Sequence, residues 1–192
     1  MTKEVEVDVA IIGAGTAGLS ALGHVRKRTE NFVIINDGPY GTTCARIGCM
    51  PSKMLIEAAD IYHKRHLYEE MGFKLNGTIE VDGRAVLKRA RGLRDMFVSS
   101  VKRATNDLGD KNISGRAKIL APDLLEVNGE QIRTRAMIIA TGSTPIMPEP
   151  WKKFGSRIVT NEEIFEMEDL PESLAVVGLG AIGLEMAQAF SR

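Results

Sequence analysis

Residues 5–12 set valines against acids and then turn wholly apolar, the pattern of a strand buried on both faces of a parallel sheet. The run passes directly into Gly13-Ala-Gly15-Thr-Ala-Gly18. From 16 to about 28, Leu19, Leu22 and Val25 recur at helical spacing, and 31–35 supplies a second apolar strand. A strand, helix, strand unit is therefore predicted. Residues 54–62 read as a helix with Pro51 near its first turn, where a missing amide hydrogen costs little. A long helix is expected over 85–108.

Residues 113–120, 124–127 and 132–135 read as strands of a small antiparallel sheet, with Asn128-Gly129 as the hairpin turn between the last two. A buried strand returns at 137–140 and ends in Thr141-Gly142-Ser143-Thr144-Pro145. The three prolines at 145, 148 and 150 then mark a domain boundary. Beyond Pro171 the opening pattern repeats: an apolar strand at 174–177, then Gly178-Leu-Gly180-Ala-Ile182-Gly183, then a helix over 184–190. Gly178 follows Gly13 by 165 residues, far beyond a solenoid period, so two nucleotide-binding modules are implied. The last helix reaches Arg192 with neither a capping glycine nor a returning strand. The chain is therefore expected to be the N-terminal part of a longer protein, which an intact mass near 21 kDa for the natural gene product would reject.

Composition adds exclusions. Lysine plus arginine equals aspartate plus glutamate at 25 each, so no net field recommends a nucleic acid or an anionic membrane. Arg84, Lys88, Arg89, Arg91 and Arg94 are expected to form a solvated helix face. No apolar run has membrane-spanning length and no secretory pattern opens the chain, so a cytoplasmic location is expected.

The chemistry concentrates at 41–53, Gly-Thr-Thr43-Cys44-Ala-Arg-Ile-Gly-Cys49-Met-Pro51-Ser52-Lys53, which holds both cysteines of the chain. A glycine-rich approach and a proline break let the backbone fold back so that the sulfurs meet, whereas one rigid helix would point residues i and i+5 apart. Three readings stand: a redox disulfide, half of a metal site, or inert buried thiols. Metal is disfavoured because His24, His63 and His66 have no ligand-like spacing to the cysteines, and no metal is expected. A lone pair in a reducing compartment favours redox chemistry. A Cys49 thiolate beside a helix N-terminus would gain from its partial positive charge, and Lys53 would add to that field. At the first fingerprint, Gly13 allows the tight turn, Gly15 lets backbone approach a pyrophosphate, and Gly18 lets helix pack on strand. Asn36 and Asp37 stand at the end of the second strand, where an acid commonly grips ribose hydroxyls.

Taken together, Gly13-x-Gly15-x-x-Gly18, the Cys44 to Lys53 segment, Ala140-Thr-Gly142 and the second fingerprint ending in Gly183-Leu-Glu185 resemble the flavin-dependent pyridine nucleotide-disulfide oxidoreductases. The closest branch is dihydrolipoamide dehydrogenase. The resemblance implies an α/β chain: a Rossmann-like FAD-binding domain at 1–147, with a parallel sheet and a small antiparallel one, then the start of an NAD(P)-binding domain at 148–192. It implies pyrophosphate contacts at Gly13, Gly15 and Gly18, a ribose position at Asn36, and flavin contacts at Thr43, Cys44, Lys53, Thr141 and Gly142. Ala117 resembles the backbone contact to adenine, and Gly178, Gly180, Ile182 and Gly183 fall in the NAD(P) fingerprint. Glu185 matches an acid that pairs with Lys53. Cys44 would be the more accessible sulfur and exchange with a dithiol or lipoyl substrate, while Cys49 would face the flavin as a thiolate. The complete protein would be a homodimer drawing its base from the partner subunit's C-terminal domain, and this chain alone would bind flavin weakly at best and not turn over. Gly41-Thr42 in place of paired glycines, Ala45-Arg46 and Asn36 depart from the family pattern at positions bearing on substrate. Ser52 argues against the glutathione-reducing branch. Mercuric reductase, another disulfide reductase, or a flavin module that senses redox state are the alternatives.

Overall fold

The opening run becomes strand β1 (Glu4–Ile12), and helix α1 (Thr16–Val25) carries the chain to β2 (Phe32–Asn36), parallel to β1. These belong to the computed structural model of the protein, which describes residues 4–192. Two compact units form, one from 4–43 with Phe97–Thr144, the other from Cys44–Met96 with Pro145–Arg192.

The first unit is built on one six-stranded sheet. Besides β1 and β2 it holds β3 (Asn112–Ser114), β4 (Lys118–Ala121), β5 (Leu124–Val127) and β6 (Glu130–Ile139), in the order β3-β2-β1-β6-β5-β4. The strands β3, β2, β1 and β6 are mutually parallel, and β5 and β4 add antiparallel. Strand alternation sorts the apolar residues into two cores. Ala10, Ile12, Val33 and Ile35 join Leu125, Val127 and Ile132, whereas Ile11, Phe32 and Ile34 pack with Leu22 and Val25 of α1 and with Leu108. Burial on both sides is the reason β1 and β2 read as unbroken apolar runs.

Three expectations change here. The antiparallel strands are not a separate sheet but extend the parallel one through β6. That strand is continuous from 130 to 139, because Thr134 lies buried in its middle and donates from Oγ1 to the Ala136 carbonyl at 2.9 Å. The single strand expected at 113–120 is two, separated at Gly115, one paired with β2 and the other with β5. Asn128 and Gly129 do form the hairpin, with φ of 53° and 82° as a primed turn requires.

The second unit is helical. It contains α3 (Cys49–His63), the first part of α4 (Gly83–Asn106) and α5 (Ala181–Ser191), and also α2 (Thr43–Ile47) from Cys44 onward. Its core joins Leu55, Ala59, Leu87, Ile164, Phe165, Met186 and Ala189. That shared core groups residues 44–96 with 145–192. The basic face of α4 is not uniformly solvated. Arg91 donates to the carbonyls of Phe165 at 3.4 Å and Met167 at 2.5 Å, Arg94 pairs with Glu166, and Arg84 reaches Asp169 at 2.9 Å. Lys88 and Arg89 remain exposed. Residues 174–177 form no strand, because no described strand lies beside them to complete a ladder. Among the described residues no helix is long and apolar enough to cross a membrane.

Candidate functional site

In the first unit the carboxyl ends of β2, β1 and β6 lie side by side, the place where open α/β sheets receive ligands. Gly13 leaves β1 with φ of 111°, donates to the Ile35 carbonyl at 2.7 Å, and would drive a Cβ into the carbonyl of Ala140. A Cβ on Gly18 would strike the Gly13 carbonyl, so α1 lies against the turn only because Gly18 has none. Gly15 caps α1 with no side-chain bond, and nothing lies within 4 Å of its Cβ position. The first amides of α1 therefore stand behind an open backbone approach, which fits the pyrophosphate of a dinucleotide.

Asn36 ends β2 and turns its side chain onto this loop. Its Oδ1 accepts from the Ala14 amide at 3.0 Å, and its Nδ2 donates to the Gly38 carbonyl at 3.0 Å. Asp37 is exposed, and its carboxylate lies 3.6 Å from the Arg116 guanidinium. Half-buried Ala117 packs on the sheet core one residue later. Thr141 and exposed Gly142, with φ of 74°, follow β6 where Ala140 donates to the Ile12 carbonyl at 2.7 Å.

In the second unit the chain breaks at Gly48, not at Pro51. Cys44 lies in α2, Gly48 leaves helical geometry with φ −135° and ψ −122°, and Cys49 opens α3. Pro51 is the third residue of α3, where no amide is missed, and the Ser52 amide donates back to the Gly48 carbonyl at 3.1 Å. The turn at Gly48 brings the two free thiols into hydrogen-bond contact. That bond to Cys49, followed by burial, holds the Cys44 thiol above its ordinary range, so Cys44 keeps its proton. The expected order of exposure is reversed: Cys44 is half-buried and Cys49 exposed, since α2 tucks its neighbours Ala45 and Ile47 into the unit while Cys49 stands at the first turn of α3. One turn on, Lys53 reaches Glu185 of α5 with Nζ to Oε1 at 2.6 Å, the pairing the resemblance implies. Asn161, which no motif singles out, donates to the Ile47 carbonyl at 3.2 Å and so ties down the end of α2.

The second fingerprint repeats the first in shape. Gly178 has φ of 113°, a Cβ on Gly183 would strike the Gly178 carbonyl, and the space at Gly180 is open as α5 begins. Gly178, Gly180, Ile182 and Gly183, with Trp151 and Thr160, line a groove of about 810 Å³.

Comparison with known proteins agrees. The family described as pyridine nucleotide-disulphide oxidoreductase matches residues 7–192. A dihydrolipoyl dehydrogenase of Bacillus subtilis is 32% identical over 190 residues, covering 96% of this chain and 41% of that protein. A mercuric reductase of Lysinibacillus sphaericus is 30% identical over 195 residues, covering 99% of this chain and 35% of that one. Among solved structures, the HOCl-induced flavoprotein disulfide reductase RclA of Escherichia coli, as its Cu(II) complex, superposes with a TM-score of 0.79 at 23% identity, over all of this chain and 40% of that one. The chain thus spans well under half the length of these relatives. With a family match over nearly its whole length, the chain belongs to the pyridine nucleotide-disulphide oxidoreductases.

Proposed function

We propose that the chain carries the dithiol centre and flavin fingerprint of an FAD-dependent disulfide oxidoreductase of the dihydrolipoyl dehydrogenase type. The observation that carries this is the thiol pair across Gly48, one helical turn from the Lys53 to Glu185 ion pair. Glycines fit for a pyrophosphate in the first unit support FAD, and the second fingerprint supports NAD(P).

In this reading Cys44 is the exchange sulfur. After a base removes its proton it attacks one sulfur of a substrate disulfide. The S–S bond breaks, a mixed disulfide forms on Cys44, and the departing sulfur takes up a proton. The Cys49 thiol then gives up its proton and attacks Cys44, and the second substrate sulfur leaves and takes up that proton. The balance is substrate disulfide plus dithiol pair giving substrate dithiol plus Cys44–Cys49 disulfide; lipoamide oxidation runs it backwards. Bound FAD would supply the two-electron couple between this pair and NAD(P). The Gly48 turn holds the sulfurs in reach, and Glu185 fixes the Lys53 ammonium. A homodimer, with a base from the partner subunit, belongs to the same proposal.

A second substrate, the mercuric ion, is favoured by the 30% identity to a mercuric reductase. The complete protein decides. Two-electron reduction should produce a long-wavelength charge-transfer absorbance that Cys49→Ser abolishes and Cys44→Ser retains. No band in the parent protein would leave a flavin module that senses redox state, and the opposite mutant pattern would exchange the roles of the two sulfurs. NAD(P)-coupled turnover with dihydrolipoamide against Hg(II) separates the two substrates.

A further inference from the structure

Asn36 stands where a carboxylate would exclude a phosphorylated ribose, and both of its polar atoms are already engaged. Oδ1 gives one lone pair to the Ala14 amide and keeps a second, so part of the acceptor is committed to the fingerprint turn itself. Nδ2 likewise gives one hydrogen to Gly38 and keeps a second, so the uncharged side chain can accept from a ribose hydroxyl or donate to a phosphate, and brings no charge to repel the latter. A cation stands at the same strand end. Ser114 of β3 is the register partner of Asn36, Gly115 donates to the Asn36 carbonyl at 3.0 Å, and Arg116 follows. Arg116 is 88% exposed and faces Asp37, itself 55% exposed, at 3.6 Å, an ion pair too long and too wet to hold the guanidinium firmly. In dinucleotide folds an acid at this place selects an unmodified ribose, and a nearby arginine accommodates a 2′-phosphate.

We infer that the nucleotide site at the first fingerprint admits an adenosine ribose carrying a 2′-phosphate about as readily as an unmodified one. The inference rests on the nucleotide-binding reading above and adds to it the ribose chemistry. Asn36 is a positioning residue that sets the loop through Ala14. Arg116, released from Asp37, meets the extra phosphate, and Asp37 opposes it.

The test compares binding of 5′-ADP and 2′,5′-ADP to the full chain by calorimetry. The two affinities should lie within about tenfold of each other, a gap of about 1.4 kcal/mol at most. Asn36→Asp, which keeps an oxygen for Ala14 but adds charge, should weaken 2′,5′-ADP relative to 5′-ADP by about tenfold or more. Asp37→Asn should shift the ratio the other way. Arg116→Ala, at a residue 88% exposed, should weaken 2′,5′-ADP more than 5′-ADP, an effect that shrinks with added salt. Intact 5′-ADP binding with 2′,5′-ADP disfavoured by tenfold or more overturns this inference alone, as does an Arg116→Ala chain with an unchanged ratio. Failure to bind 5′-ADP at all overturns the nucleotide reading itself.

Discussion

Two glycines of one fingerprint are expected to fail in different ways. Gly18→Ala places a methyl against the Gly13 carbonyl, which is backbone and cannot swing aside, so a loss of about 1–3 kcal/mol in urea unfolding is expected. Gly15→Ala meets nothing within 4 Å at an ordinary φ of −83°, so stability should hold while 5′-ADP affinity falls. Equal loss of stability in both variants would contradict this division of labour. Glu163 gives a pH signature. It accepts from both the hydroxyl and the amide of Thr160 at 2.7 Å, and these bonds, the hydroxyl's first, hold its carboxyl below the ordinary range. The unfolded chain takes up that proton first as pH falls. The stabilisation is thus complete above the ordinary carboxylate range and is lost as pH drops through the depressed value. The melting temperature of the parent should exceed that of Glu163→Gln near neutrality, and the gap should close in acid. Because Glu163 is exposed, the whole effect should be below about 1 kcal/mol.

Among the elements, α4 holds the segment after it through side chains and not through a ladder. Arg91→Ala would strip the Phe165 and Met167 carbonyls of a charged donor and should cost about 1–3 kcal/mol, with faster amide exchange over 163–170. Lys88→Ala, at an exposed position, should stay within about 0.5 kcal/mol of the parent. The sequence could not tell these two cations apart, since both sit on the same charged stretch and only the path of a distant chain decides which is covered. Periodicity located β1, α1, β2, α4 and α5 to within a few residues, because each carries its own apolar face. It divided β6 in two at Ala136, where the alternation of 132–135 gives way to the wholly apolar 137–140, and it merged β3 with β4 because the alternation runs through Gly115. Motif spacing made the glycine turns and the approach of Cys44 to Cys49 legible, whereas the pairing of Lys53 with Glu185 came only from the family resemblance. The break at Gly48, the two-sided use of Asn36 and the exposed position of Cys49 depend on local backbone turns that spacing does not encode.

For the molecule as a whole, residues 174–184 matter most to its handling. Val177 is 76% exposed and Leu179 83%, on a segment with which no strand pairs among the described residues. Unpaired backbone flanked by apolar side chains invites strand addition from other chains. The chain should bind anilinonaphthalene sulfonate and scatter light increasingly with concentration, and Val177→Lys should reduce both. A monodisperse, dye-silent parent would refute this.

The pairing of β1 with β6 carries a consequence for synthesis. Residues 9–12 lie against 136–139, with the rest of the nucleotide unit and the whole cysteine segment made in between. A ribosome releasing this chain therefore exposes β1 with a neighbour on only one flank until the stretch through Ile139 has emerged. Closing so long a loop is slow, and during that wait the chain depends on chaperones or on speed.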